Sequence, residues 1–458
     1  METGKHVSRS AVLSVTATSS FLTPLMGSAV NLALPALGRR FAMDAVSLAW
    51  VSTAYLLSAA AFLVPFGRLA DIYGRKKVFL CGVAILFLTS LLCGLAPSAP
   101  LLIAFRVLQG IGGAMIFGTG VAILTSVYPR EERGKALGIN TASVYLGLSM
   151  GPFLGGLVTH HLGWRYVFFM NLPLCLFIIV LVLWKLKGDW AGARGERMDI
   201  TGSLIYSLSI TSLIYGLSRM PSLIGTTLAG AGIIGFLGFI LLEARSKSPV
   251  LDVSLFRFNR VFAMSNLAAL INYAATFAVG FLMSLYLQYV KGLSPQAAGI
   301  VMVSQPAVQT IFSPIAGRLS DRIEPRIVSS VGMGITALGL FLMAFVNQLT
   351  PMIFVIGILS LLGLGFALFA SPNTNAVMSS VEMRFYGVAS GTLGTMRLVG
   401  NMLSMAAVML LFALIIGKTQ ITPDNTGLFL ASARAAFLLF SGVCALGIIP
   451  SMVRGKVR

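Results

Sequence analysis

The sequence predicts an all-α integral membrane protein of fourteen transmembrane helices, built as two related six-helix bundles with two extra helices between them. Three observations predict this. Fourteen apolar stretches of about 17 to 30 residues, parted by short polar loops, fill nearly all of the 458 residues. An α-helix needs roughly 20 such residues to cross a ~30 Å hydrocarbon layer. Only 10% of residues are charged, 57% are hydrophobic and the mean hydropathy is +0.90, whereas soluble domains carry about 25% charged residues. Finally, the basic residues crowd onto one side of the bundle. A bilayer offers no water to a bare backbone, so each apolar stretch must be helical.

In chain order, apolar length places helices over 11–36, 46–66, 78–96, 101–127, 136–158 and 165–184. The charged stretch Lys185 to Asp199 closes this first block. Helices over 200–218 and 223–243 form a close, peripheral pair joined by Arg219-Met220-Pro221-Ser222. A basic loop, Ala244 to Arg260, leads to the last six helices, over 261–289, 297–316, 327–346, 351–372, 386–416 and 428–452. The domains are therefore 1–187, 188–258 and 259–458.

The net charge of +19 would suit nucleic acid, but its placement argues against that partner. With the N-terminus inside, 24 of the 33 Lys and Arg fall in cytoplasmic segments. Arg39, Arg40, Arg165, Arg219, Lys291, Lys418 and Arg434 fall outside or near outer helix ends, and only Arg106 and Arg397 remain within apolar helices. This asymmetry follows the positive-inside rule and implies a multi-pass protein of the cell membrane with both termini cytoplasmic. Its partners are then the lipid bilayer, with anionic inner-leaflet lipids attracted to the basic loops. Residues 8–39 are too long and too continuous with the bundle for a removed signal, so the first helix is expected to be retained.

Enzyme chemistry finds no support. The three histidines (His6, His160, His161) lie near surfaces, and His160-His161 lacks a third metal ligand nearby. Gly417-Lys418-Thr419 resembles the end of a phosphate loop, but Phe412 stands where the earlier glycine belongs and no strand precedes it. Cys81, Cys93, Cys175 and Cys444 have no metal-ligand spacing and read as small apolar packing residues. No metal or cofactor is expected.

The two six-helix blocks repeat each other. GRLADIYGR (Gly67 to Arg75) follows the second helix of the first block, and GRLSDRIEPR (Gly317 to Arg326) follows the second helix of the last. Gly134, Ala136, Gly138 and Gly147 recur 253 positions later as Gly387, Ala389, Gly391 and Gly400. Internal duplication in a helical membrane protein points to two halves meeting at a central site. A channel assembled from subunits has no need of it, and one chain holding both halves is expected to act as a monomer.

Further motifs sharpen this picture. GRLADIYGRKK (Gly67 to Lys77) joins helices 2 and 3, with Gly67 and Gly74 suited to a tight turn and Asp71 to a helix N-terminus or to arginines such as Arg130 or Arg133. RVLQGIGGAM (Arg106 to Met115) carries an arginine above small residues that let helices pack closely. GLSMGPFLGG (Gly147 to Gly156) sets a groove of Gly147, Gly151 and Gly155 beside the helix-breaking Pro152, with Gly156 following. WVSTAYLL, LGWRYVFFMNLP, SPVLDVSLF and LYLQYVKGLSPQAAG add to these. Together, over nearly the whole chain, they resemble the major facilitator superfamily, and within it the 14-helix drug:proton antiporters that include exporters of quaternary ammonium compounds.

The resemblance implies a secondary transporter working by alternating access, with the proton gradient as energy source and small amphipathic compounds and protons as its cargo. It implies that the loop with Gly67, Asp71, Gly74, Arg75 and Lys76, and its repeat with Gly317, Asp321 and Arg322, latch the cytoplasmic side. A plain topology anchor of positive charges is the other reading of these loops. It implies that Gly147, Gly151, Pro152, Gly155 and Gly156 mark an exporter, where a simple packing face is the alternative. For Arg106 it implies proton or substrate handling, while its position six residues inside Pro100 also allows snorkelling to the outer surface.

One position departs from the pattern. Helix 1 of such antiporters carries an aspartate in a run like L-D-x-T-I-V-N-V-A-L-P; here the run is LMGSAVNLALP, Leu25 to Pro35, with Met26 at the acidic place and Asn31 keeping register. All 14 Asp and Glu lie in loops, termini or helix ends. A cationic drug would meet no buried counter-charge, so neutral or anionic substrates are favoured. Arg397, about ten residues or ~15 Å into helix 13, is costly to bury unless it faces a cavity. It is expected to contact substrate or a coupling anion, or else to cap carbonyls of a broken helix, with Asn401 one turn later on the same face. Tyr55, Gln109, Tyr145, Asn272, Tyr273, Gln305 and Gln309 complete the candidate cavity, each with interhelical hydrogen bonding as its structural alternative. Two rival functions stand beside drug export: a dedicated metabolite exporter without a role in resistance, and a non-transporting receptor or scaffold, for which no loop of sensing-domain size is present.

Overall fold

The computed structural model describes residues 8–455 apart from 187, 189, 193, 194, 196, 197, 244–255, 257, 258, 321, 382–385, 418 and 423–425. Fourteen helical spans run through it. The first block holds α1 (Arg9–Phe41), α2 (Ala45–Tyr73), α3 (Arg75–Leu95), α4 (Ala99–Val127), α5 (Arg130–His161) and α6 (Trp164–Lys185). The extra pair is α7 (Ile200–Ser218) and α8 (Leu223–Glu243). The last block holds α9 (Arg260–Val290), α10 (Pro295–Met302 continued by Ser304–Ser320), α11 (Pro325–Met343), α12 (Met352–Ser379), α13 (Tyr386–Ile415) and α14 (Thr426–Val453).

Polar residues start these helices where their first N–H groups need acceptors. Asp44 Oδ1 accepts from Ser47 N at 2.6 Å to open α2, Asn259 Oδ1 from Phe262 N at 2.9 Å to open α9, and Ser294 Oγ from Ala297 N at 3.2 Å to open α10. Several helices outrun their apolar cores: α1, α2 and α12 continue to Phe41, Tyr73 and Ser379, past the ends 36, 66 and 372 that apolar length gives. Hydropathy marks what lies in hydrocarbon, and the backbone ladder carries on into the polar layer.

Among the described residues, thirteen of the helices are individually long and apolar enough to cross a membrane. The exception is α10, which sequence length read as one span over 297–316 and which breaks at Val303. Pro306 lacks an N–H, and its ring crowds the Met302 carbonyl four residues back. The last turn of α9, Tyr286–Val290, widens into a π-helix.

The blocks are copies in three dimensions as well as in sequence. A Cβ on Gly112 would meet the Gly82 carbonyl at 2.8 Å, and one on Gly365, 253 residues later, would meet the Gly332 carbonyl at 2.9 Å. Gly110 and Gly363 approach the carbonyls of Tyr55 and Gln305 in the same way, and Gly147 and Gly400 those of Phe21 and Leu270. Each pair lets one backbone lie directly on another. The helix pair, expected as peripheral, lies along the seam. Its α7 packs on α2 of the first block and on α13 of the last, with Tyr206 donating to the Ala60 carbonyl at 3.1 Å and Ser207 to that of Ala61 at 2.6 Å.

Candidate substrate cavity and gates

The start of α1 and the end of α14 share one end of the bundle, called the near end below; the opposite one is the far end. At mid-depth the two blocks face each other across a polar cluster. Tyr145 of α5 lies beside Tyr273 of α9, Gln309 and Ser313 of α10, and Arg397 of α13. The Arg397 guanidinium donates to Thr374 Oγ1 at 2.9 Å and sits 5.5 Å from the centre of the Tyr273 ring. Among the described residues its Nε has no partner, and neither do the Gln309 amide nitrogen and the Asn401 side-chain oxygen. Two of these, the Arg397 Nε and the Gln309 amide nitrogen, are spare donors and the Asn401 oxygen is a spare acceptor; spare donors beside a guanidinium suit carbonyl, carboxylate or phosphate oxygens.

Other candidates stand elsewhere. Asn272, next to Tyr273 in sequence, is fully buried and turns its amide to Cys444 Sγ of α14 at 3.9 Å, away from the cluster, because adjacent helical residues diverge by about 100°. Met26 is fully buried in the core, so the position lacking the acid is a packing position here. Gln305 meets Gly363 through its backbone carbonyl. Asn31 is nearly buried; its Oδ1 accepts from Ser52 at 3.2 Å.

Arg106 neither snorkels nor reaches the cluster. It is 1% exposed inside the first block. Its Nε donates to the Val51 carbonyl at 2.9 Å, one terminal nitrogen donates to Gln109 Oε1 at 2.6 Å, and its plane lies 4.7 Å from the Tyr55 ring centre. Gln109 passes the chain on to Ser90 Oγ at 2.8 Å. Absence of a Cβ at Gly113 leaves the room that the Tyr55 hydroxyl fills. Three cavity candidates, Tyr55, Arg106 and Gln109, are thus one internal network tying α2, α3 and α4.

The motif on α5 has two working faces. Side chains at Gly147, Gly151 or Gly155 would overlap Phe21, Ser28 or Ala29 of α1, all within the first block. Gly156 and the Pro152 carbonyl instead meet Pro295 and Gly299 of α10, across the seam. Hydrogen bonds join the halves from mid-depth to the far end. Ser149 pairs with Thr310 at 3.1 Å and His161 with Gln296 at 3.2 Å. Ser284, Gln288 and Tyr289 of α9 donate to the α1 carbonyls of Asn31 (2.5 Å), Leu32 (3.2 Å) and Pro35 (3.3 Å). Where α2 begins, Ala45 N donates to the Thr419 carbonyl and Gln420 to that of Ala42, at 3.2 and 3.0 Å.

At the near end the loop after α2 docks on its own block. Gly67 packs beside Gly118, and Gly74, at φ +116°, makes the sharp corner between α2 and α3 that an L side chain resists. Asp71 lies in the last turn of α2, not at a helix N-terminus, and pairs with Arg75 one turn on (2.8 Å); the side chains of Arg130 and Arg133 lie outside the described set. Arg75 also donates to Ser126 Oγ at 2.6 Å and the Ala122 carbonyl at 3.2 Å, while its N–H bonds the Trp190 carbonyl at 2.9 Å. Lys76 donates to the Leu186 carbonyl. In the repeat, Gly317 lies beside Ser371 of α12, and Arg322 N bonds the Leu319 carbonyl at 3.0 Å; Asp321 lies outside the described residues.

Sequence reading missed several contributors. Thr374 and Ser313 are two hydroxyls among many in apolar helices, with nothing to single them out. Arg454 is fully buried at the end of α14, where it donates to Asn373 Oδ1 (2.8 Å), the Pro325 carbonyl (3.0 Å) and Ser265 Oγ (3.1 Å). Burial brings its pKa down to about 10, opposed by nearby Glu324. In sequence it looks like one more inner-side charge of the tail.

Two pseudo-symmetric helical bundles, joined at one end around a mid-depth polar cluster, define a multi-pass membrane transporter rather than an enzyme. The chain belongs to the Major Facilitator Superfamily, whose profile matches residues 16–255 and 266–456. It is 29% identical to the riboflavin transporter RibZ of Clostridioides difficile (strain 630), over 96% of each chain. It is 32% identical to the multidrug resistance protein Stp of Mycobacterium tuberculosis, over 87% of this chain and 75% of that one. In fold it matches a crystal structure of a bacterial homologue of the human lysosomal transporter Spinster, inward-facing and unoccupied, with a TM-score of 0.68, 98% of both chains covered and 17% identity.

Proposed function

We propose that this protein exports amphipathic drug-like compounds or metabolites from the cell by proton-coupled antiport, and that it favours neutral or anionic substrates. It would reside in the cell membrane with its termini, and hence the near end, at the cytoplasm. One observation carries the substrate preference. Among the described residues Arg397 stands at mid-depth between the halves with one neutral hydroxyl as hydrogen-bond acceptor and an unpartnered Nε, and in the sequence every Asp and Glu falls in a loop, a terminus or a helix end. A buried, incompletely satisfied guanidinium attracts oxygen acceptors and repels a fixed cation. Proton entry as the driving force comes from the antiporter branch that the motifs resemble.

The contacts across the far end fit a state loaded from the cytoplasm. In the export stroke, the α1–α9 and α5–α10 contacts would part while the two near-end loops come together as latches. The similarity to a protein named as a riboflavin transporter, over 96% of both chains, favours a second reading within the same mechanism: a dedicated metabolite exporter with no part in drug resistance.

The test is ligand-induced proton flux in proteoliposomes, across cationic, neutral and anionic compounds. Flux with neutral or anionic compounds, abolished in Arg397→Ala, is the expected result. Robust transport of a quaternary cation would overturn the charge preference, and wild-type uptake of every substrate by Arg397→Ala would remove Arg397 from the site.

A further inference from the structure

The loop after the second helix is fastened at two places in each half, and the fastenings correspond. The fourth helix of the half supplies one. Gly118 of α4 lies beside Gly67, and its counterpart 253 positions on, Ser371 of α12, lies beside Gly317. Asn375 of α12 adds a hydrogen bond to Ser320 Oγ at 3.1 Å. The chain leaving the sixth helix supplies the other. After α6, the Leu186 carbonyl accepts from Lys76 and the Trp190 carbonyl from Arg75 N. After α14 the direction is reversed: Arg454 donates to the carbonyl of Pro325, which opens α11 within the repeated motif (3.0 Å).

Arg454 is fully buried, and its fork reaches three other helices: Pro325 of α11, Asn373 Oδ1 of α12 and Ser265 Oγ of α9. These acceptors are neutral, while Glu324 of the same loop lies near the guanidinium. Asn373 in turn donates to the Ser265 carbonyl at 3.1 Å, and Ser330 of α11 pairs with Ser451 of α14 at 2.8 Å. An apolar side chain would anchor the end of α14 without the cost of burying a cation. What a planar, forked donor adds is direction, here fixing the first turn of α11 against α9, α12 and α14. We infer that Arg454 is a positioning residue of the second gate. It holds the Gly317–Arg326 loop on its own half, in the place from which the loop engages the first half during export. Its part in transport rests on the latch reading above; the placing of the loop does not.

Spin labels read the loops directly, in the full-length protein in dioleoylphosphatidylcholine nanodiscs. One nitroxide goes on Ile323→Cys, exposed in the second loop, and in a separate sample one goes on Tyr73→Cys, exposed at the first. Cys81→Ala removes the exposed native thiol, and the other three cysteines are buried. Arg454→Gln should mobilise the label at 323, shortening its rotational correlation time at least twofold, and leave that at 73 unchanged. Arg454→Lys keeps the charge without the fork; it should act in the same direction to a smaller extent, and it serves if the glutamine variant does not fold. An unmoved label at 323 would overturn the proposal. Equal mobilisation of both labels would do so too, because Arg454 would then support the whole bundle. In proteoliposomes given phenylbutyrate, an amphipathic anion of the favoured class, Arg454→Gln should lower kcat at least tenfold with KM within about twofold of wild type. An unchanged kcat would overturn the gating role. Absence of phenylbutyrate uptake by wild type would count against the exporter reading alone, and the spectra would still decide whether Arg454 places the loop.

Discussion

Two arginines sit in apolar helices without an acid beside them, and their surroundings assign them different work. Arg106 is held by the Val51 carbonyl, Gln109 and the face of Tyr55. Removing it would leave the buried Gln109 oxygen without its donor, which costs about 1–3 kcal/mol. Arg106→Ala should therefore lower the melting temperature of the purified protein while leaving the KM of whatever transport survives close to wild type. Among the described residues Arg397 hydrogen-bonds Thr374 alone and has an idle Nε. Arg397→Ala should melt near the wild-type temperature yet lose at least tenfold in uptake, and Arg397→Lys should recover part of it as a point charge without the fork. The sequence exposed both residues as anomalies, because a charge in hydrocarbon is conspicuous. It could not tell them apart, since the acceptor that satisfies Arg106 is a main-chain carbonyl 55 residues away. Asn272 shows the same limit: a polar residue's depth can be counted from a helix end, but its azimuth depends on neighbours that only folding supplies.

Among the elements, α5 separates folding from gating within one short motif. Gly155→Leu would drive a side chain into Ala29 of α1, inside the first half, so poor yield and a lowered melting temperature are expected. Gly156→Leu would press on Pro295 of α10, across the seam, and should leave the halves folded but hold the far end apart. A cysteine pair at positions 42 and 420, where Gln420 bonds the Ala42 carbonyl, reads this out: crosslinking yield should fall several-fold with Gly156→Leu. Ser284→Ala combined with Gln288→Ala, which removes the α9 donors to α1, should move the yield the same way. The glycine spacing was visible in the sequence and so was the existence of each span. The break at Val303 and the π-turn at Tyr286–Val290 were not, because hydropathy averages over such local departures from the helix ladder.

For the molecule as a whole, duplication was the most legible property. Glycines 253 positions apart make equivalent backbone contacts in the two blocks. Harder to read was the near end, where the Asp71 loop is bound to Arg75, and Arg75 to Ser126 and Ala122 of α4. If that loop must be free to engage the opposite half in part of the cycle, Asp71→Asn should slow turnover more than it weakens substrate binding, as separated by single-turnover and equilibrium measurements. Equal changes in both would remove the latch role.

Placement of the extra helices along the seam was not predicted, and it bears on how the machine moves. Hydrogen bonds from Tyr206 and Ser207 moor α7 to α2, whereas Phe236 and Phe239 of α8 face Met396 and Val399 of α13 across an apolar gap. A passenger tied to one bank and lubricated against the other travels with its mooring. If the two halves rock during transport as proposed, the pair would ride with the first half and the sliding contact would fall along α13.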